Sequence, residues 1–181
     1  MANKVKFNIK NVHYAVKTEE GYDAPVAIPG AVSIALEAQG ELTPFHADGI
    51  KYYIAATNSG YEGDLEMALI PDHFRKDVLK EAEDANKVLI ENADIETTEF
   101  ALGFDIDGDQ GTTKFWFFNC TATRPGAKSQ TNEGSKTPIT DTITISAAPD
   151  ADGNVRAKTT EDTTSDALTN WYKTVYTKVA A

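Results

Sequence analysis

From Tyr61 to Leu69 the chain alternates, with Tyr61, Leu65, Met67 and Leu69 on one side and Glu62, Asp64 and Glu66 on the other. Successive side chains of a strand face opposite sides, so this spacing predicts a strand with one apolar face and one row of carboxylates. Period two dominates elsewhere as well. Val12, Tyr14 and Val16 share a face, as do Val32, Ile34 and Leu36, and as do Phe100, Leu102, Phe104 and Ile106. The stretch from Gly49 to Leu79 reads as two strands paired through a turn at Thr57-Asn58-Ser59-Gly60, followed by a helix that Pro71 opens. Phe74, Val78 and Leu79 give that helix an apolar stripe to lay on a sheet.

The punctuation between these runs completes the outline. Thr18 to Gly30, with Gly21, Pro25 and Pro29, reads as loop, and Gly40 to Asp48, with Pro44, as a connection. Lys87 to Ile90 is a short strand. Thr113 to Thr121 is a longer one, with Trp116 and Phe118 on one face and Phe115 and Phe117 on the other. Aromatics on both faces predict cover on both sides, and a neighbouring subunit is one candidate cover. Arg124 to Pro138 is a polar loop with almost nothing to bury, of a length that is usually functional or disordered. Ile139, Ile143 and Ile145 form a strand in which Asp141 shares the apolar face. Asp150 to Asn154 is a turn, and Val155 to Thr159 a brief strand. Ser165 reads as the N-cap of a last helix carrying Leu168, Trp171, Tyr172 and Val175, with a terminal strand as the alternative that its threonines favour. The expected fold is mainly β: a β-sandwich or partly closed barrel with one or two short flanking α-helices. The 181 residues form one domain, with residues 1–10 as an N-terminal arm.

Composition excludes several function classes. A net charge of −11 argues against gripping nucleic acid by phosphate neutralisation, although repulsion from a polyanion is itself a usable property. No run approaches the roughly 18 apolar residues of a membrane span. The start MANKVKFNIK lacks an apolar signal core, so folding in a cytoplasm is expected. Cys120, the single cysteine, reads as a small core residue.

No catalytic constellation emerges. His13, His46 and His73 are scattered, without the i, i+4 spacing of a helical metal pair. Glu62, Asp64 and Glu66 lie in a row on one face, with no opposing acid that would make a hydrolytic pair. Two turns invite comparison with calcium loops. Asp105, Asp107 and Asp109 carry Gln110 where the sharp turn needs glycine; Asp150, Asp152, Asn154 and Glu161 carry Val155 there. Turn chemistry alone accounts for both. Neither an enzyme nor a resident metal or cofactor is expected.

Several segments, in order and nearly end to end, then carry a family likeness. They are Lys10-Asn11-Val12-His13-Tyr14-Ala15-Val16, Pro25-Val26-Ala27-Ile28-Pro29-Gly30-Ala31-Val32, Gly60-Tyr61-Glu62-Gly63 and Leu69-Ile70-Pro71-Asp72. Further on come Asn119-Cys120-Thr121-Ala122, Lys158-Thr159-Thr160-Glu161-Asp162 and Asn170-Trp171-Tyr172-Lys173. In these the chain resembles the major tail (tail tube) proteins of long-tailed phages with non-contractile tails. The resemblance implies a structural virion protein of tail-tube-type β-sandwich fold, assembled in the host cytoplasm and residing in the virion tail. Its subunits form stacked, typically hexameric rings around a tape-measure protein, bounded by tail tip and tail terminator proteins. DNA passes through the lumen on ejection without specific binding, and no membrane is involved. On this reading Glu62, Asp64 and Glu66 face the lumen, and the loop bearing Arg124, Lys128, Asn132, Glu133 and Lys136 bridges rings, with surface decoration as its alternative use. The competing class is a monomeric carbohydrate- or protein-binding β-sandwich, calcium-dependent through Asp150, with Tyr53 and Tyr61 as sugar platforms.

Overall fold

The computed structural model describes residues 3–131, 134 and 136–179. Its strands are β1 (Lys6–Thr18), β2 (Gly21–Tyr22), β3 (Val26–Ala27), β4 (Ala31–Gln39), β5 (Leu42–Ala47), β6 (Ile50–Ala56) and β7 (Gly60–Met67). After helix α1 (Asp72–Asp77) come β8 (Ala82–Glu83), β9 (Leu89–Ile90), β10 (Phe100–Gly108), β11 (Thr112–Ala122), β12 (Asp141–Ala147) and β13 (Arg156–Lys158), then helix α2 (Ser165–Asn170). The chain is mainly β with two short helices, as the period-two pattern predicts.

One antiparallel sheet organises the molecule in the order β2-β1-β10-β11-β12-β7-β4, with β3 on the outer edge of β1 and β13 beside β12 on β11. The sheet curls until β4 returns against β1, but no ladder joins them, so no closed barrel forms. Inside the curl lies the main core, built from Tyr14, Leu65, Phe100, Leu102, Phe117 and Ile145 among others, all buried. Helix α1 closes it with Phe74, backed by Val78 and Leu79 just beyond the helix. Asp141 fits this apolar face because its carboxylate accepts the backbone N–H of Ile70 at 3.0 Å. Burying a polar group is tolerable once it is hydrogen-bonded.

A second core lies on the other face of β11. Trp116 and Phe118 pack there with Ala15, Ala101, Trp171 and Val175. The chain's own C-terminal segment covers this face, not a neighbouring subunit. The Trp116 indole N–H donates to the Trp171 carbonyl at 3.0 Å, which fixes the segment in place. Helix α2 is shorter than the apolar spacing suggested and is capped by Thr164 instead of Ser165. Leu168 remains 38% exposed, while Trp171 and Val175 reach the sheet from beyond the helix end.

Other expectations fail for local reasons. β6 and β7 do not pair with each other. β6 pairs with β5 and β7 with β4, so Gly40 to Asp48 is largely strand and Asn58-Ser59 is a kink within one arm of a long hairpin. Ser59 N–H still donates to the Gln39 carbonyl across that arm at 2.7 Å. The actual turn is Asp48-Gly49, both left-handed at φ 52° and 77°, the geometry that matches the twist of a two-residue hairpin. Val32 is half exposed because a register shift between Ala31 and Ser33 turns it out of the apolar row. Leu69 lies past the end of β7 and faces solvent. At the other end, residues 6–10, inside the expected N-terminal arm, form the start of β1.

Candidate functional site

The carboxylate row sits where the alternation put it. Glu62 and Asp64 are exposed and Glu66 half-buried on one face of β7, while Leu65 and Met67 are buried on the other. Their neighbours on β12 are Ser146, Thr144 and Thr142, and on β4 Glu37, Ala35 and Ser33. The face therefore consists of carboxylates flanked by hydroxyls. The Thr144 hydroxyl donates to Asp64 at 2.8 Å and the Ser33 hydroxyl to Glu66 at 2.9 Å, with Thr140 donating to the other Glu66 oxygen. These donors, Thr140 first and then Ser33, hold the Glu66 carboxyl below its usual range, with a smaller push from the positive charge of Lys128. Glu62 stands opposite Glu37, and like charges directly opposed in a sheet are unfavourable. Among the described residues no ion pair neutralises any of the three carboxylates.

The polar loop is anchored at its first residue. The Arg124 guanidinium donates to the carbonyls of Asn92 and Ile95 at 3.3 and 3.2 Å, and its Nε lies 3.0 Å from Glu91. Arg124 thus binds its own chain, whereas Lys128 and Lys136 are exposed. Asn132 and Glu133 lie outside the described residues.

The other candidates resolve into structure. Asp150 accepts the backbone N–H groups of Asp152 and Asn154 at 3.0 and 2.7 Å, which is turn chemistry. Asp107 pairs with Lys10, and Asp109 accepts the Lys4 N–H at 2.7 Å. Asp105 is fully buried beneath the C-terminal segment, accepting from Asn11, Lys114 and the Tyr172 hydroxyl. Burial first, and that carboxylate second, raise the Tyr172 phenol. His13 stacks on the Tyr172 ring at 4.1 Å and His73 on Tyr14 at 5.7 Å. Among the described residues no three His, Cys, Asp or Glu side chains gather as a metal site. Cys120 is fully buried, which pushes its thiol up to about 12 and leaves it unreactive. Tyr61 is no open platform, since it packs edge-on against Phe117 with Arg156 over its ring.

Sequence reasoning missed the β5–β6 hairpin. It carries Leu42, Phe45, Ile50, Tyr52, Tyr53 and Ile54, each at least half exposed. The Asp48-Gly49 dipeptide between two apolar runs was the signal that could have found it.

No protein-family model and no curated protein matches this sequence. Among solved structures, a chain of the PVC sheath–tube complex of an extracellular contractile injection system, in the extended state, covers 82% of this chain and 88% of its own, with TM-score 0.50 and 12% identity. A chain of the anti-feeding prophage baseplate, reconstructed with six-fold symmetry, covers 90% and 99%, with TM-score 0.52 and 11% identity. At such identities the likeness is one of fold. It agrees with the tail-tube-type architecture expected from the sequence.

Proposed function

We propose that this protein is a structural subunit that polymerises into a phage-type tail tube. The observation that carries the proposal is the acidic and hydroxyl-lined face of β12, β7 and β4, borne on a fold shared with chains of contractile injection machines. Fold alone does not assign a function, so the weight rests on that face. A sheet surface whose carboxylates have no ion-pair partner among the described residues repels a polyanion instead of holding it. In a tube conducting DNA, that is the surface required on the inner wall.

The finer reading follows from the same premise. Glu62, Asp64 and Glu66 line the lumen. Subunits close into rings, hexameric as in the family the sequence resembles, and the rings stack around a tape-measure protein in a non-contractile tail. Tail tip and tail terminator proteins bound the stack. The loop beyond Arg124, with Lys128 and Lys136 exposed, reaches toward the adjacent ring.

The test is imaging of the purified, concentrated protein by negative-stain electron microscopy. Rings or tubes with a central hole are expected. Dispersed monomers at the highest attainable concentration would overturn self-assembly and favour a monomeric binding module. A tube reconstruction placing the acidic face on the outer wall would overturn the lumen assignment alone.

A further inference from the structure

The β5–β6 hairpin is costly to present to water. Leu42 and Ile54 share one of its faces, Ile50 lies on the other, and a register shift between Phe45 and His46 leaves Tyr52 as the extra residue of β6; Leu42 and Tyr52 expose 73% and 70% of their surface. Phe45 and Tyr53 pair across the other face. An isolated two-stranded hairpin is marginally stable in water at best, and contiguous apolar patches of this kind mark interaction surfaces. The hairpin continues the β4–β7 ladder outward from the sheet, so it projects from a rigid base.

Elsewhere on the chain lies a groove of about 310 Å³ between the start of β1 and strand β13. It is lined by the apolar Ile106 and Phe115, by four cations, Lys4, Lys6, Arg156 and Lys158, and by one carboxylate, Asp107, which is already paired with Lys10. None of these four cations has an ion-pair partner among the described residues. In a chain of net charge −11 this is a local excess of positive charge beside apolar surface. Such a lining suits aromatic rings and carboxylates. Arg156 already lies 5.2 Å from the centre of the Tyr61 ring, and cations of this kind are attracted to ring faces. The hairpin offers three aromatic rings and two carboxylates, Glu41 at its foot and Asp48 at its tip, against one cation, Lys51.

We infer that the β5–β6 hairpin of one copy docks in the Lys4–Lys6–Arg156–Lys158 groove of a second copy. The inference rests on the self-assembly proposed above and names the surfaces that carry it. Projection and groove lie on different parts of one chain, so the contact is heterologous. A heterologous contact leaves a free hairpin and a free groove after each addition, and so builds rings or open stacks instead of ending at a dimer.

The experiment uses two single-cysteine variants of the full chain, Tyr53→Cys on the hairpin and Lys6→Cys at the groove. The buried Cys120 adds no background. Each variant is checked by circular dichroism and sedimentation, then treated with a short bismaleimide alone or mixed. The expected result is a covalent dimer in the mixture, absent from either variant alone, and a ladder of multimers from the doubly substituted chain. Assemblies that form without this cross-link would overturn the groove assignment and leave self-assembly standing. Cross-linking of Tyr53→Cys with itself would mean that hairpins cover each other, which also overturns it. Absence of any assembly would remove both proposals. As a second readout, Lys6→Glu with Lys158→Glu is expected to abolish assembly while the melting temperature stays within a few degrees. Unchanged assembly would count against the groove.

Discussion

A methyl group on Gly103 would lie 2.7 Å from the Trp116 indole, too close for either to stay put. Gly103→Ala should therefore destabilise the fold by about 1–3 kcal/mol, the usual penalty of overpacking, as read by denaturant unfolding. Asp105 makes the electrostatic counterpart of this argument. It is buried, with Lys114 at 3.0 Å as its cation. Replacing Lys114 by Met leaves the carboxylate with hydrogen-bond donors but no countercharge. The cost should fall near the lower end of the about 3–5 kcal/mol seen when a buried pair is broken, since Lys114 keeps some contact with water. Glu66 sets an acid limit. Its folded carboxyl is held below the usual range, so its contribution is present above about pH 4.3 and is lost as pH falls through the depressed value. Melting temperature should drop across that acidic window, and Glu66→Gln should flatten the drop.

At the scale of elements, the C-terminal segment is the least regular part of the molecule with a large packing role. Trp171→Ala should cost about 3–5 kcal/mol and uncover the Trp116 face, visible as a red shift of the remaining tryptophan emission. Unchanged stability and emission would mean the segment does not hold that face. The contrast with β10 shows what was legible beforehand. Phe100, Leu102, Phe104 and Ile106 alternate cleanly, and their strand and the burial of the first three could be read directly, though not the burial of Ala101 and Asp105 on the other face. The acidic row of β7 was equally plain, because its alternation is strict. Pairing was not legible. Residues 49–69 look like a hairpin on apolar pattern alone, and the competing signal, the Asp48-Gly49 dipeptide whose positive φ angles let β6 turn back on β5, is only two residues long. Nor could a spacing of 55 residues announce that Trp171 covers Trp116. Arg124 looked like a loop charge, yet beside Glu91 its partners are backbone carbonyls, which carry no signature in a sequence.

For the molecule as a whole, the prediction that separates a tube wall from an ordinary solvated face concerns DNA. Tubes of the wild-type chain should leave DNA in the supernatant on pelleting. Tubes carrying Glu62→Lys, Asp64→Lys and Glu66→Lys should retain it in a salt-sensitive way, because each added cation near a phosphate releases counterions. Equal pelleting by both would place these side chains away from the DNA path. The double-sided burial of β11 also bears on how the chain is made. Trp116 leaves the ribosome well before Trp171, so during synthesis the outer face of β11 waits bare for its cover. A nascent chain halted between the two tryptophans would display a sticky aromatic surface, a mark by which quality control can recognise unfinished copies before they reach a growing polymer.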